Sequence, residues 1–139
     1  MDTPPPTSEP SRRLIAQRVR NRVIEYLELA SSFEDQLMYQ RNVAHIGVNV
    51  ASETINQWED WIPVDPRTHE FSDVYTADEV RAVREYHVVW NDVADRTPPV
   101  LPCLEAVQEL PAWDELRQAA LAALGVFERR GALPEDREV

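Results

Sequence analysis

Lysine is absent, cysteine occurs once, and glycine occurs three times in 139 residues. Each scarcity removes a class of function. With glycine only at 47, 125 and 131, no glycine-rich loop can be built to cradle a phosphate or a dinucleotide. The G-x-S-x-G elbow of the α/β-hydrolases is missing as well. A lone Cys103 can form neither an intrachain disulfide nor a multi-thiolate metal site, and no histidine lies near it in sequence to activate a thiolate. It is expected as a small buried filler. No apolar run approaches the roughly 18 residues of a membrane span, and no charged-then-apolar leader opens the chain. The expectation is a soluble cytoplasmic protein with no membrane partner.

What is present is acid and arginine. The net charge is −11, and every basic residue is an arginine, a permanent planar fork that suits carboxylates. The charge is uneven. Arg12, Arg13, Arg18, Arg20 and Arg22 follow one another with no acid between them, while the rest of the chain is strongly acidic. Such a body repels nucleic acid and attracts basic partners. The apolar fraction, 43%, is close to the globular norm, and the length fits one domain.

Proline marks the ends. Residues 1–10 read as a disordered, proline-rich tail, residues 11–131 as a single helical domain, and residues 132–139 as an acidic, frayed C-terminal tail. Within the domain the apolar spacing is helical almost throughout. Residues 11–31 set Ile15, Val19, Val23, Tyr26 and Ala30 on one stripe, with Ser11 as cap. Five arginines near the positive end of that helix dipole are misplaced locally, which implies acids elsewhere in the fold or on a partner. Ser32 opens a second helix, 33–46, apolar on two sides and broken by Gly47. Ser52 caps a short third helix stopped by Pro63. A loop over 63–75 follows, and "TADE" at 76–79 is a capping box for a helix reaching about Asp95. Pro98, Pro99 and Pro102 end that helix, a short helix spans 103–110, and Pro111 leads into a last helix, 112–130, closed by Gly131. The fold class is all-α, a helical bundle of four main helices plus two short ones.

Two places carry chemistry-bearing residues. In "QRNVAHIG", residues 40–47, Arg41, Asn42 and His45 resemble the arginine–histidine signature of HEPN ribonucleases, which are also small helical bundles. That signature has a longer gap than the three residues found here, so the family is not assigned. Arg41 and His45 fall roughly 40° apart around a helix. They read as a polar pair at the edge of a buried helix, with the arginine partly buried against a carboxylate. A divergent ribonuclease or hydrolase using them, with His87, is the enzymatic alternative. His87 itself lies in the apolar stripe Val80, Val83, Trp90 and Ala94, as a core histidine hydrogen-bonded to a neighbour. No pair of ligand residues stands at metal-binding spacing, and neither metal nor cofactor is expected.

The second place is broader. Residues 53–79 hold Glu53, Glu59, Asp60, Asp65, Glu70, Asp73, Asp78 and Glu79 against a single arginine, Arg67. Trp58, Trp61, Phe71 and Tyr75 are interleaved. Acids steer a basic partner and aromatic rings anchor it once docked. The leading expectation is a non-enzymatic, acidic protein-binding module, an inhibitor or an immunity or antitoxin-type protein that masks a basic partner, with contact through residues 58–75. A third possibility is a homodimer or larger oligomer, the arginine-rich first helix of one copy lying against the acidic body of another.

Overall fold

The computed structural model describes residues 10–98 and 103–139. The expected disordered tail therefore lies outside the described residues except for Pro10, as does most of the proline stretch after residue 98. Helix α1 is Arg12–Ala30, α2 Phe33–Val43, α3 Val50–Trp61, α4 Ala77–Arg96, α5 Leu104–Gln108 and α6 Pro111–Phe127, with a 3-10 turn at Ala44–Ile46. No strand occurs among the described residues. The fold is all-α, as its apolar spacing predicts.

Side-chain caps start four of these helices where short polar residues allow it. The Ser11, Ser32 and Thr76 hydroxyls accept the backbone N–H three residues on, as does the Asn49 side chain. Asn49 overturns one expectation. It caps α3 three residues earlier than Ser52 would, because Asn is as good a cap as Ser, and α3 grows to 12 residues. Only α5, with 5 residues, is short, so the bundle has five substantial helices rather than four. The second helix is also shorter than expected. Its α-geometry ends at Val43 and tightens into the 3-10 turn, which Gly47 stops with φ 72°.

The core brings α1, α3, α4 and α6 together, with α4 against α6 and α1 against both α6 and α3. Trp58, Tyr26 and Tyr86 form its aromatic centre, with ring centroids 4.7 to 5.9 Å apart. Burying two phenols leaves two polar groups to satisfy, and they satisfy each other across 2.6 Å. On α6 the inner residues are Trp113, Leu116, Ala120, Ala123, Leu124 and Phe127.

The expected stripe of α1 is buried at Val23, Tyr26 and Ala30, but toward the helix start the buried face turns to polar residues. Ile15 is 46% exposed, whereas Gln17, Arg20 and Asn21 are buried. The reason lies outside the helix. Gln17 and Asn21 face residues 133–139, which run along α1 instead of fraying into solvent, and Arg20 faces a carboxylate from α4. Cys103 is exposed at the start of α5 rather than buried.

Candidate functional site

The site is organised from below by one ionic cluster. Glu79 Oε1 accepts the Thr76 N–H at 3.1 Å, closing the capping box that begins α4. The same carboxylate receives Arg20 Nε at 3.1 Å and Nη2 at 2.9 Å, a bidentate fork from α1. Arg130 adds Nε at 3.0 Å from the turn after α6, and its Nη2 also donates to Val74 O at 2.7 Å. Arg20 Nη1 donates to Gly131 O at 2.7 Å, and its guanidinium lies over the Phe127 ring. Arg20 is 0% exposed and Glu79 1%. Burial pushes the Glu79 carboxyl up, but the bonds from Arg20, Arg130 and the Thr76 backbone outweigh it and hold the group down at about 2. Through Val74, Thr76 and Glu79 this cluster fixes the end of the 62–76 segment against α1 and α6.

Above it lies an apolar groove of about 400 Å³. One wall is the first turns of α1, with Arg12, Ile15, Ala16 and Val19; the other is Trp61, Val64, His69, Glu70, Phe71 and Tyr75. The rings of His69, Phe71, Tyr75 and Phe127 meet edge to face in succession, at 5.1, 5.2 and 6.2 Å, from the rim down to the core. Ile15 and Val64, 46% and 44% exposed, leave apolar surface open on both walls. A second recess, about 320 Å³, contains Glu59, Asp65, Arg67, His87 and Trp90.

The residues expected to contact a partner divide into three groups. Trp61, Glu70, Phe71 and Tyr75 line the groove, with the three aromatics half-buried. Glu59, Asp60, Asp65 and Asp73 are exposed, but Asp65 is held by Arg67 and Asp73 by Arg13. The Arg67 side chain draws the Asp65 carboxyl below its ordinary range. Trp58 is not a surface anchor. It is 1% exposed and donates its indole N–H to His87 Nδ1 at 3.1 Å, because α3 turns this face of its helix into the core. Of the eight acids in residues 53–79, Asp65, Asp73, Asp78 and Glu79 have arginine partners, three of the four drawn from distant sequence. Glu53, Glu59, Asp60 and Glu70 have none among the described residues, Glu53 accepting only the Gln57 side-chain amide. The local acidic excess is therefore smaller than a count along the chain implies, and three of the four unpaired acids lie in residues 59–70.

His87 is hydrogen-bonded to a neighbour, as its apolar stripe predicts, but it is half-buried at the recess rather than in the core. It stacks on Trp90 at 5.5 Å, and burial lowers its pKa against the opposing pull of Asp65. Arg41 and His45 differ from expectation. Both are exposed, and neither has a hydrogen-bonding or ionic partner among the described residues. The helix that carries Arg41 ends two residues later, so the pair lies at a solvent-facing corner rather than a buried edge. Neither lines the groove or the recess that holds His87, so the three alternative catalytic residues do not form one site there. No group of three metal-ligating side chains assembles among the described residues, and no described helix is long and apolar enough to cross a membrane.

Sequence reasoning missed the α1 wall. Arg12, Ile15 and Val19 look like core and flank when α1 is read alone. The signal was the run of polar residues Gln17, Arg20 and Asn21 on the opposite side, which already competes for the buried face.

Comparison with known proteins finds no matching family model and no matching curated protein or solved structure.

Proposed function

We propose that this protein acts by binding another protein, with the groove between α1 and residues 61–75 as the contact surface. The supporting observation is an open, aromatic-lined groove that carries Glu70, with Glu59 in the adjoining recess that shares Ile62, Pro63 and Val64 with it and Asp60 next in the chain, three acids that no described arginine neutralises. Apolar clefts with a few charged groups at the rim take a side-chain anchor and orient it by charge. The partner of matching chemistry carries an apolar side chain on a positively charged segment, its cations facing the loop wall and not Arg12. Masking such a segment is inhibition of the kind that immunity and antitoxin proteins perform. With one cysteine, the chain takes nothing from an oxidising compartment, and the cytoplasm is the proposed setting.

A leucine–arginine amphipathic peptide serves as the test ligand. Changing Glu59→Gln, Asp60→Asn and Glu70→Gln together should slow its association about tenfold at low salt, with the loss shrinking as salt rises. Changing Glu34→Gln, Asp35→Asn and Glu128→Gln removes the same charge elsewhere and should leave the rate within about twofold. Equal slowing by both sets would show attraction to net charge alone and would contradict the assignment.

A further inference from the structure

The polar face of α1 is built like a peptide-binding site, and the chain fills it with its own residues 133–139. Asn21 grips Leu133 at both backbone groups, its Nδ2 donating to Leu133 O at 2.8 Å and its Oδ1 accepting Leu133 N–H at 2.9 Å. Gln17, 0% exposed, donates to Pro134 O at 2.9 Å and Arg137 O at 2.8 Å and accepts from Val139 N at 3.0 Å. Arg18 donates to Glu135 O and Arg13 to Val139 O, both at 2.8 Å. The contacts to side chains are to carboxylates. Arg22 and Asn21 hold Glu135, and Ser11 meets Glu138. The bound segment has no regular secondary structure and leaves residues 135–139 exposed.

We infer that this face of α1 is a second docking surface, one that accepts an irregular acidic segment of a partner protein in place of residues 133–139. Recognition is mainly through the backbone, so it does not demand this particular sequence, only a carboxylate opposite Arg22 and an unobstructed main chain. The native segment is held by hydrogen bonds and exposed ion pairs, with Leu133 and Pro134 as its half-buried residues. Contacts of that kind are individually weak, and exposed segments without regular secondary structure open most readily. Its departure would leave Arg18 without its partner, beside Arg13 and Arg22 in their exposed pairs with Asp73 and Glu25, and two amide side chains with unmet hydrogen bonds. The surface is separate from the groove and opposite in charge, so the two readings stand or fall independently.

The test uses a labelled peptide, ALPEDREV, and the full-length chain with its own segment unseated by Leu133→Pro and Glu135→Arg. Proline removes the N–H that Asn21 accepts, and arginine repels Arg18 and Arg22. The unseated chain should bind the peptide at least about tenfold more tightly than the unmodified chain, whose tethered segment competes at an effective concentration on the order of millimolar. Adding Asn21→Ala should weaken that binding about tenfold or more. A peptide of shuffled sequence that keeps the glutamate in place should bind within about threefold, and one with its acids replaced by arginine should not bind. Absence of binding to the unseated chain, or binding indifferent to Asn21, would overturn the proposal. Hydrogen exchange on the unmodified chain gives a reading that needs no substitution. The Leu133 and Val139 amides should exchange at least about tenfold faster than the buried amides of α1. Equal protection would mean the segment leaves only on global unfolding, and would also overturn it. A concentration-dependent dimer that Asn21→Ala dissolves would make a second copy the occupant and refute a foreign partner.

Discussion

Arg20 and Arg41 both stand in helices, and their surroundings differ in almost every respect. Arg20 is wholly buried; its three guanidinium nitrogens bond to Glu79 and Gly131, and its plane lies over Phe127. Arg41 is exposed at the end of a short helix, without a partner among the described residues. The flanking sequence hints that Arg20 needs an acid but does not say which one. What separates them is a carboxylate 59 residues from Arg20 in the chain. A buried guanidinium is tolerated only where its charge and its donors are matched, and Glu79 is positioned to match it because the capping box that starts α4 already fixes that side chain. A local helix signal and a long-range ion pair thus share one residue.

The largest expected effect follows from removing that residue's charge. Glu79→Gln leaves Arg20 buried without a counter-charge and should cost about 3–5 kcal/mol of folding stability, measured by urea denaturation. It should also change the acid limb. The folded-state pKa of Glu79 is depressed to about 2 from 4.5, so its contribution is complete above the unfolded value, near 4.5, and is lost as pH falls through about 2. The unmodified protein should lose stability across that window, and Glu79→Gln should lose less there. A variant that unfolds at the same urea concentration as the parent would break the comparison.

The smallest effects belong at the other arginine. Arg41→Ala and His45→Ala, made singly, should each change stability by no more than about 0.5 kcal/mol, as expected for exposed residues away from caps and networks. A loss of more than about 1.5 kcal/mol from either would show that the pair has a structural role that its exposure does not reveal.

The helix count, the order of the helices and most of their starts were legible in the sequence, because caps and apolar spacing are local signals. Thr76 and Glu79 announced α4 without ambiguity. The start of α3 was misplaced because Asn49 and Ser52 are both competent caps, and only the surrounding packing chooses between them. The groove was half legible. Glu70, Phe71 and Tyr75 announced themselves as acidic and aromatic residues on one long loop, and Trp61 as an aromatic at the end of the helix before it, but Trp58 belonged to the core. The α1 wall was hidden, since an exposed Ile15 looks like core until the polar residues opposite it find their partners. Those partners, Glu79 and residues 133–139, lie 59 and more than 110 residues further along the chain. The misplaced arginines were the one visible sign of them. They read locally as unfavourable at a helix N-terminus, and the acids that account for three of them are Asp73, Glu79 and Glu135.

The central claim is that the groove, and not the Arg41–His45 corner, is the surface that recognises a partner. The most direct measurement is a backbone-amide NMR titration of the full chain with the leucine–arginine peptide. The account predicts shifts confined to the first turns of α1 and residues 59–75, with Ile15, Val64 and Phe71 among the most affected and residues 41–45 unmoved. Shifts centred on Arg41 and His45, with the groove silent, would contradict it.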